Sequence, residues 1–155
     1  MTESSGPTNE VSREIAAAPE VVFAAITDIT RMGEWSPETV RAEWNEGFTT
    51  AAVGAQFSGY NEAADEAWTT RATITEFVEN ERFFFECDMN DFVFATWGYV
   101  IEPIDSGCRV TELTENHIPE KFRDVGSFAG IENRDAHNRE TMIATLDRLA
   151  AALEA

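Results

Sequence analysis

Cations are scarce in this chain. Eleven Lys and Arg stand against 29 Asp and Glu, a formal net charge of −18, and a surface of that sign repels phosphate backbones and anionic bilayers. Nucleic acid and membrane surfaces are therefore not expected as partners. Cysteine is also sparse. Cys87 and Cys108 lie 21 residues apart with no CxxC pair and no His at ligand spacing, which argues against a disulfide framework or a zinc site and for free thiols in a reducing compartment. No metal is expected. The longest strongly apolar run, Phe92 to Ile101, is too short to span a bilayer, and MTESSGPTNE lacks a basic stretch followed by an apolar one. The sequence reads as a soluble, cytoplasmic protein. Neither GxSxG, GxGxxG nor GxxxxGK[ST] occurs, so a nucleophile elbow and a phosphate-cradling loop are missing and no cofactor is expected.

What the chain does have is enough apolar material for one core. Its 155 residues are 43% hydrophobic and include eleven Phe, four Trp and two Tyr, a suitable content for one domain. Residues 1–9 are small and polar and read as a flexible tail, leaving 10–155 as the domain. Val11, Arg13 and Ile15 alternate with polar neighbours as a first strand. Ala18-Pro19-Glu20 opens a helix carrying Val22, Phe23, Ile26 and Ile29, and DITRMGEWSPE, broken by Gly33 and Pro37, fits a second short helix ending near Trp35. Six extended segments follow between Thr39 and Asn116, parted by Gly47, Gly54, Ala63-Ala64-Asp65, Asn80, Asn90-Asp91 and Asp105-Ser106-Gly107. Pro119-Glu120 resembles another helix start. From Asp135, a candidate cap, Met142, Leu146, Leu149 and Leu153 recur at helical spacing with Ile143 and Ala150 beside them, which predicts a long amphipathic helix.

Strand, two short helices, six strands and a long helix predict an antiparallel meander whose first strand returns to its edge, with the last helix covering the apolar face. A helix across a strongly curved sheet need not fill the space beneath it, so a cavity is expected. The element order, with APEVVFAAITD, EPIDSGCRVTE and AHNRETM, resembles the helix-grip START-like (SRPBCC) superfamily and, within it, small bacterial polyketide cyclase/dehydrase-like proteins. The resemblance covers about Glu10 to Ala155. It implies an α+β helix-grip fold: a seven-stranded curved antiparallel sheet wrapped around a long C-terminal helix, with two short helices between strands 1 and 2.

One carboxylate stands out. If Ile104 to Gly107 form the loop of a hairpin, Pro103 pairs with Cys108, Ile101 with Val110, Tyr99 with Glu112 and Trp97 with Thr114, and directly opposed residues share a face. The resemblance turns that face toward the cavity, lined by Val93, Ala95, Trp97, Tyr99, Ile101, Val110, Glu112, Thr114 and Asn116. Alternation adds Phe83, Phe85 and Cys87, then Phe57, Gly59 and Asn61, then Ile74 with Ala72 and Glu76. Trp35 either stacks on a ligand or plugs one end. His117 lies at a strand-to-helix corner, and His137 reads as a surface or packing residue.

Three functions fit. The first is binding of a small hydrophobic, lipid-like, aromatic or polyketide-like ligand, with Glu112, Tyr99 and Asn116 as orienting groups. The second is a polyketide cyclase/dehydrase-type enzyme in which Glu112 and Tyr99 are the catalytic pair. The third is a protein-interaction or toxin-like regulatory domain using Phe84, Phe92 and Phe94 on the outer sheet face. Either a monomer or a homodimer is compatible with the sequence.

Overall fold

The computed structural model describes residues 7–63, 66–118 and 133–154. In chain order these form β1 (Asn9–Ile15), α1 (Pro19–Thr27), a 3-10 turn (Ile29–Arg31), α2 (Met32–Trp35) and β2 (Thr39–Trp44). Next come β3 (Gln56–Ala63), β4 (Glu66–Val78), β5 (Arg82–Met89), β6 (Phe92–Ile104), β7 (Gly107–Asn116) and α3 (Arg134–Leu153). The helix expected from Pro119 lies outside the described residues.

The strands form one antiparallel sheet in the order β1-β7-β6-β5-β4-β3-β2, a curled half-barrel of the expected helix-grip type. Consecutive strands pair except at β1, which the helical crossover delivers to the edge beside β7. Positive φ occurs at Asn80, Asn90, Asp91 and at Gly47, Gly54 and Gly107, all within the turns that composition marked. The β6–β7 register is the expected one, with Tyr99 opposite Glu112 and Trp97 opposite Thr114.

Helix α3 lies along the edge strand. Asn9 donates to the Asp135 carbonyl, Arg139 to the Glu10 carbonyl, Arg13 to Asp147, and the Ala16 amide to Glu154. A strand climbing about 3.3 Å per residue and a helix climbing 1.5 Å per residue thus run side by side over comparable lengths. The buried stripe of α3 is Asn138, Met142, Thr145, Leu146, Leu149 and Ala150. Ile143, expected beside this stripe, is 42% exposed; Thr145 takes the inward position, its hydroxyl satisfied by the Thr141 carbonyl at 2.7 Å. The cap is Asn133, whose side chain accepts from the Ala136 amide, and not Asp135.

Two bulges change the faces read from alternation. The β4–β5 register shifts between Ile74 and Glu76, setting Glu76 opposite Phe84 on the convex face, where it pairs with Arg82. Phe77 takes the inward place opposite Phe83. A second shift follows Cys87, so that Val93 stands opposite Asp88 and Phe94 packs against the core. Val93 was expected inside and Phe94 outside; the extra residue at each bulge breaks the two-residue period. Phe84 does face outward, its ring lying across Gly98, where an added Cβ would fall 2.0 Å from the ring.

Candidate functional site

Cross-strand pairing sorts the concave face into rows. Val11, Glu112, Tyr99, Phe83 and Phe77 make one row. The next holds Asn9, Thr114, Trp97, Phe85 and Ile74. A third runs Asn116, Ala95, Cys87, Ala72, Phe57 and Trp44. Val110 opposite Ile101 begins the deeper end. The expected ligand-contact residues of the sheet are thereby brought onto one surface. Their exposure is graded: Phe83 and Val110 are fully buried and Ile101 nearly so, whereas Trp97, Tyr99 and Asn116 keep partial access to solvent. Small side chains occupy the middle of the third row at Ala95, Cys87 and Ala72, and continue at Gly59 and Ala42. Trp35 stands apart from the sheet, buried in the contiguous core with the Arg31 guanidinium 4.8 Å from its ring centre.

Glu112 is the unusual member. It is only 4% exposed, and its Oε1 has no hydrogen-bond partner among the described residues. Burial drives its pKa up to about 8, while the hydrogen bond from Tyr99 works in the opposite direction and is too weak to cancel the cost of desolvating the anion. Tyr99 is itself held well above the usual phenol range, by burial first and by Glu112 second. At neutral pH the pair is therefore predominantly a neutral carboxylic acid and a neutral phenol. An unmet buried oxygen costs about 1–3 kcal/mol, an expense that purely structural packing does not require.

A second polar cluster sits where α3 begins. Glu38, in the connection from α2 to β2, accepts from Arg134 at 2.7 Å and 3.0 Å and lies 2.9 Å from His137 Nε2. Arg134 also donates to Asn138 and lies over the Trp68 ring. Next to it, Asn61 accepts from Thr39 and donates to the Gly59 and Trp68 carbonyls. Together with Asp135, which accepts from Asn116, these contacts tie the first turn of α3 to both flanks of the sheet. Glu38 and Arg134 were not anticipated, and His137 was read only as a surface or packing residue. The available signal was the helical spacing of Arg134, His137 and Asn138, hidden by placing the helix start two residues late.

The remaining reactive groups are quiet. Burial pushes the Cys87 thiol up to about 12 and raises Cys108 as well, so neither is a ready nucleophile. His117 Nε2 lies 2.7 Å from the Thr96 hydroxyl and its Nδ1 is 4.0 Å from Glu115. Among the described residues no group of three or more His, Cys, Asp or Glu side chains gathers as a metal site, and no helix is long and apolar enough to cross a membrane.

The sequence over residues 7–154 matches the family described as polyketide cyclase/dehydrase and lipid transport. The chain belongs to that family. No curated protein matches it. Among solved structures, the polyketide cyclase-like protein Cgl2372 of Corynebacterium glutamicum is 30% identical, with a TM-score of 0.57 over 94% of this chain and 88% of that one. Protein NE0264 of Nitrosomonas europaea superposes with a TM-score of 0.72 at 14% identity, covering 99% and 97% of the two chains. The di-domain aromatase/cyclase StfQ of the steffimycin biosynthetic pathway gives a TM-score of 0.70 at 15% identity, over 94% of this chain and 50% of StfQ. At such identities the last two likenesses establish the fold alone. Membership in the polyketide cyclase/dehydrase and lipid transport family supports a ligand-binding or cyclase-type role.

Proposed function

We propose that this protein binds a small, largely apolar molecule between the concave face of the sheet and α3, with Glu112 and Tyr99 orienting it. The observation that carries this reading is the buried, half-satisfied Glu112 carboxyl set among Tyr99, Trp97 and Phe83. Evolution toward stability alone would replace such a group with an apolar one, whereas an apolar site with a few convergent polar atoms suits a ligand. The small residues Ala95, Cys87 and Ala72 keep the side chains short along their row. Native mass spectrometry of freshly purified protein is expected to detect a co-purified molecule, and thermal shift against fatty acids, long-chain ketones and polyphenols is expected to find a stabilising one. A chain with no bound species and no stabilisation by any of these would sink the reading.

A second reading is a cyclase/dehydrase-type enzyme. It is favoured by the same carboxyl, because an acid with a pKa of about 8 is poised to exchange a proton near neutral pH. Turnover of a poly-β-ketone substrate would be lost in Glu112→Gln with ligand affinity nearly retained; unchanged turnover would remove Glu112 as acid or base. The protein-interaction reading has less support. Of the three aromatics expected on the outer face, Phe92 is 52% exposed, Phe84 is partly covered by Arg82 and Phe94 packs on the core instead. A monomer or a homodimer remains compatible with ligand binding.

A further inference from the structure

We propose that Arg13 is the counter-ion Glu112 takes up when it ionises, gained by giving up its surface pair with Asp147, so that the charge of the buried acid and the docking of α3 on β1 are coupled. The inference goes beyond the binding reading and concerns the protein with nothing bound.

Two buried polar atoms of complementary kind carry it. Arg13 Nε, a donor, and Glu112 Oε1, an acceptor, are both enclosed and both lack a hydrogen-bond partner. Pairing of β1 with β7 sets Arg13 opposite Val110 and Val11 opposite Glu112. Directly opposed residues share a face, and Val110 and Glu112 are both buried, so Arg13 and Glu112 are diagonal neighbours on the concave side. Diagonal positions lie about 7–8 Å apart, within reach of a long side chain. The guanidinium reaches α3 instead, with Nη1 2.8 Å from Asp147 Oδ1. Solvent has access to both members of that pair, which makes it a weak hold.

Among the described residues, the other titratable groups around the two are neutral, engaged or turned away. The concave face of β6 supplies the Tyr99 phenol beside the carboxyl, and burial keeps the Cys87 and Cys108 thiols neutral. Arg109 and Glu14 pair with each other on the convex face. From α3, Arg139 donates to the Glu10 carbonyl, Glu154 accepts from the Ala16 amide, Asp135 accepts from Asn116, and Arg134 and His137 are held at Glu38. Glu20 of α1 and Glu140 and Arg148 of α3 are exposed.

An ionised carboxylate left alone in this interior carries the full cost of its desolvation. Burial already raises Glu112 to about 8. Once the anion forms, the guanidinium gains more by meeting it than by staying with Asp147, because the same attraction is stronger in a low dielectric than at the surface. Nε and one Nη match the two oxygens of a carboxylate, so a single movement satisfies both orphaned atoms. The trade has a consequence for the helix. Among the described residues α3 is tied to the first strand and its end through Asp135, Arg139, Asp147 and Glu154; release of Asp147 frees the C-terminal half of the helix between Arg139 and Glu154. Linkage makes the effect reciprocal: whatever holds Arg13 on Asp147 favours the protonated acid.

Carboxyl carbon NMR of the full chain labelled at glutamate reads the titration directly, with the Glu112 resonance assigned by its loss in Glu112→Gln. Arg13→Met keeps the apolar stem of the side chain and is expected to raise the Glu112 midpoint by about one pH unit or more. Asp147→Asn weakens the competing hold and is expected to lower it by roughly half a pH unit. In the wild-type protein the Arg13 Nε–H resonance should shift with the same midpoint as Glu112, and in Glu112→Gln it should stay fixed across that range. A midpoint unchanged in both variants, or moved the same way by both, would overturn the proposal, as would an Arg13 resonance indifferent to Glu112 ionisation. Asp147→Asn alters only an exposed side chain, so it decides the matter should Arg13→Met fold poorly. No ligand enters these measurements: a chain that binds nothing would sink the binding reading and leave this coupling standing.

Discussion

Two carboxylates lie under or beside α3 and have opposite surroundings. Glu38 has 18% of its side chain exposed and is met by Arg134 and His137. Glu112 is more deeply buried, with the Tyr99 phenol beside it and no ion pair among the described residues. The first is a clasp that holds the start of the helix to the β2 flank of the sheet. The second is a polar atom without a structural task, in a row otherwise made of Val11, Tyr99, Phe83 and Phe77. Paired charge is what a stable fold does with a carboxylate it needs; an isolated buried one marks a place kept for something else.

The contrast is most sharply tested through pH. The folded-state pKa of Glu112 lies above its unfolded value, so the folded protein binds the proton more tightly; stability is greatest below about 4.5 and declines as pH rises toward about 8. Glu112→Gln removes that decline. Urea denaturation is expected to show the variant about 5 kcal/mol more stable than wild type at pH 9, with the gap closing by pH 4. A wild-type chain whose stability is flat over this interval would contradict the burial of an ionisable Glu112. The sign reverses at the other carboxylate. Glu38→Ala should cost about 2 kcal/mol at pH 7, because it withdraws the anion shared by Arg134 and His137; equal denaturation midpoints for variant and wild type would show that the clasp holds nothing.

Smaller changes refine the picture. Tyr99→Phe takes away the donor that holds the Glu112 pKa down, so the midpoint of the pH-dependent stability should move upward from about 8, while stability at low pH changes by about 1 kcal/mol. A downward movement would mean that Tyr99 does not donate to the carboxyl. Asp147→Asn breaks the pair with Arg13, whose side chains are 57% and 38% exposed. It should change stability by no more than about 0.5 kcal/mol, since solvent screens such contacts. A cost comparable to that of Glu38→Ala would erase the distinction between surface pairing and the clasp.

The elements were legible in the chain because short-range chemistry sets them. Pro19 at the first position of α1, the turn residues at Asn80, Asn90 and Gly107, and the two-residue period of β6 and β7 act over a few residues. The Tyr99–Glu112 pairing followed from one hairpin loop. Reading failed where a single extra residue shifted a register: Glu76, Val93 and Phe94 changed faces at bulges that no turn residue announces. It failed again along α3, where Ile143 faces outward and Thr145 inward, because the rotation of a helix about its axis depends on what it packs against.

Sequence by itself therefore determined the order of elements, the seven-strand meander and the placement of a carboxylate opposite a tyrosine. Tertiary structure alone decided which carboxylate acquired cations. Glu38 meets Arg134 across 96 residues and His137 across 99, contacts that exist only once α3 has docked from β1 toward the far flank of the sheet. Among the described residues the same docking gives Glu112 no ion pair. Its charge balance is a property of the assembled interior, where the low dielectric makes the presence or absence of one partner decisive.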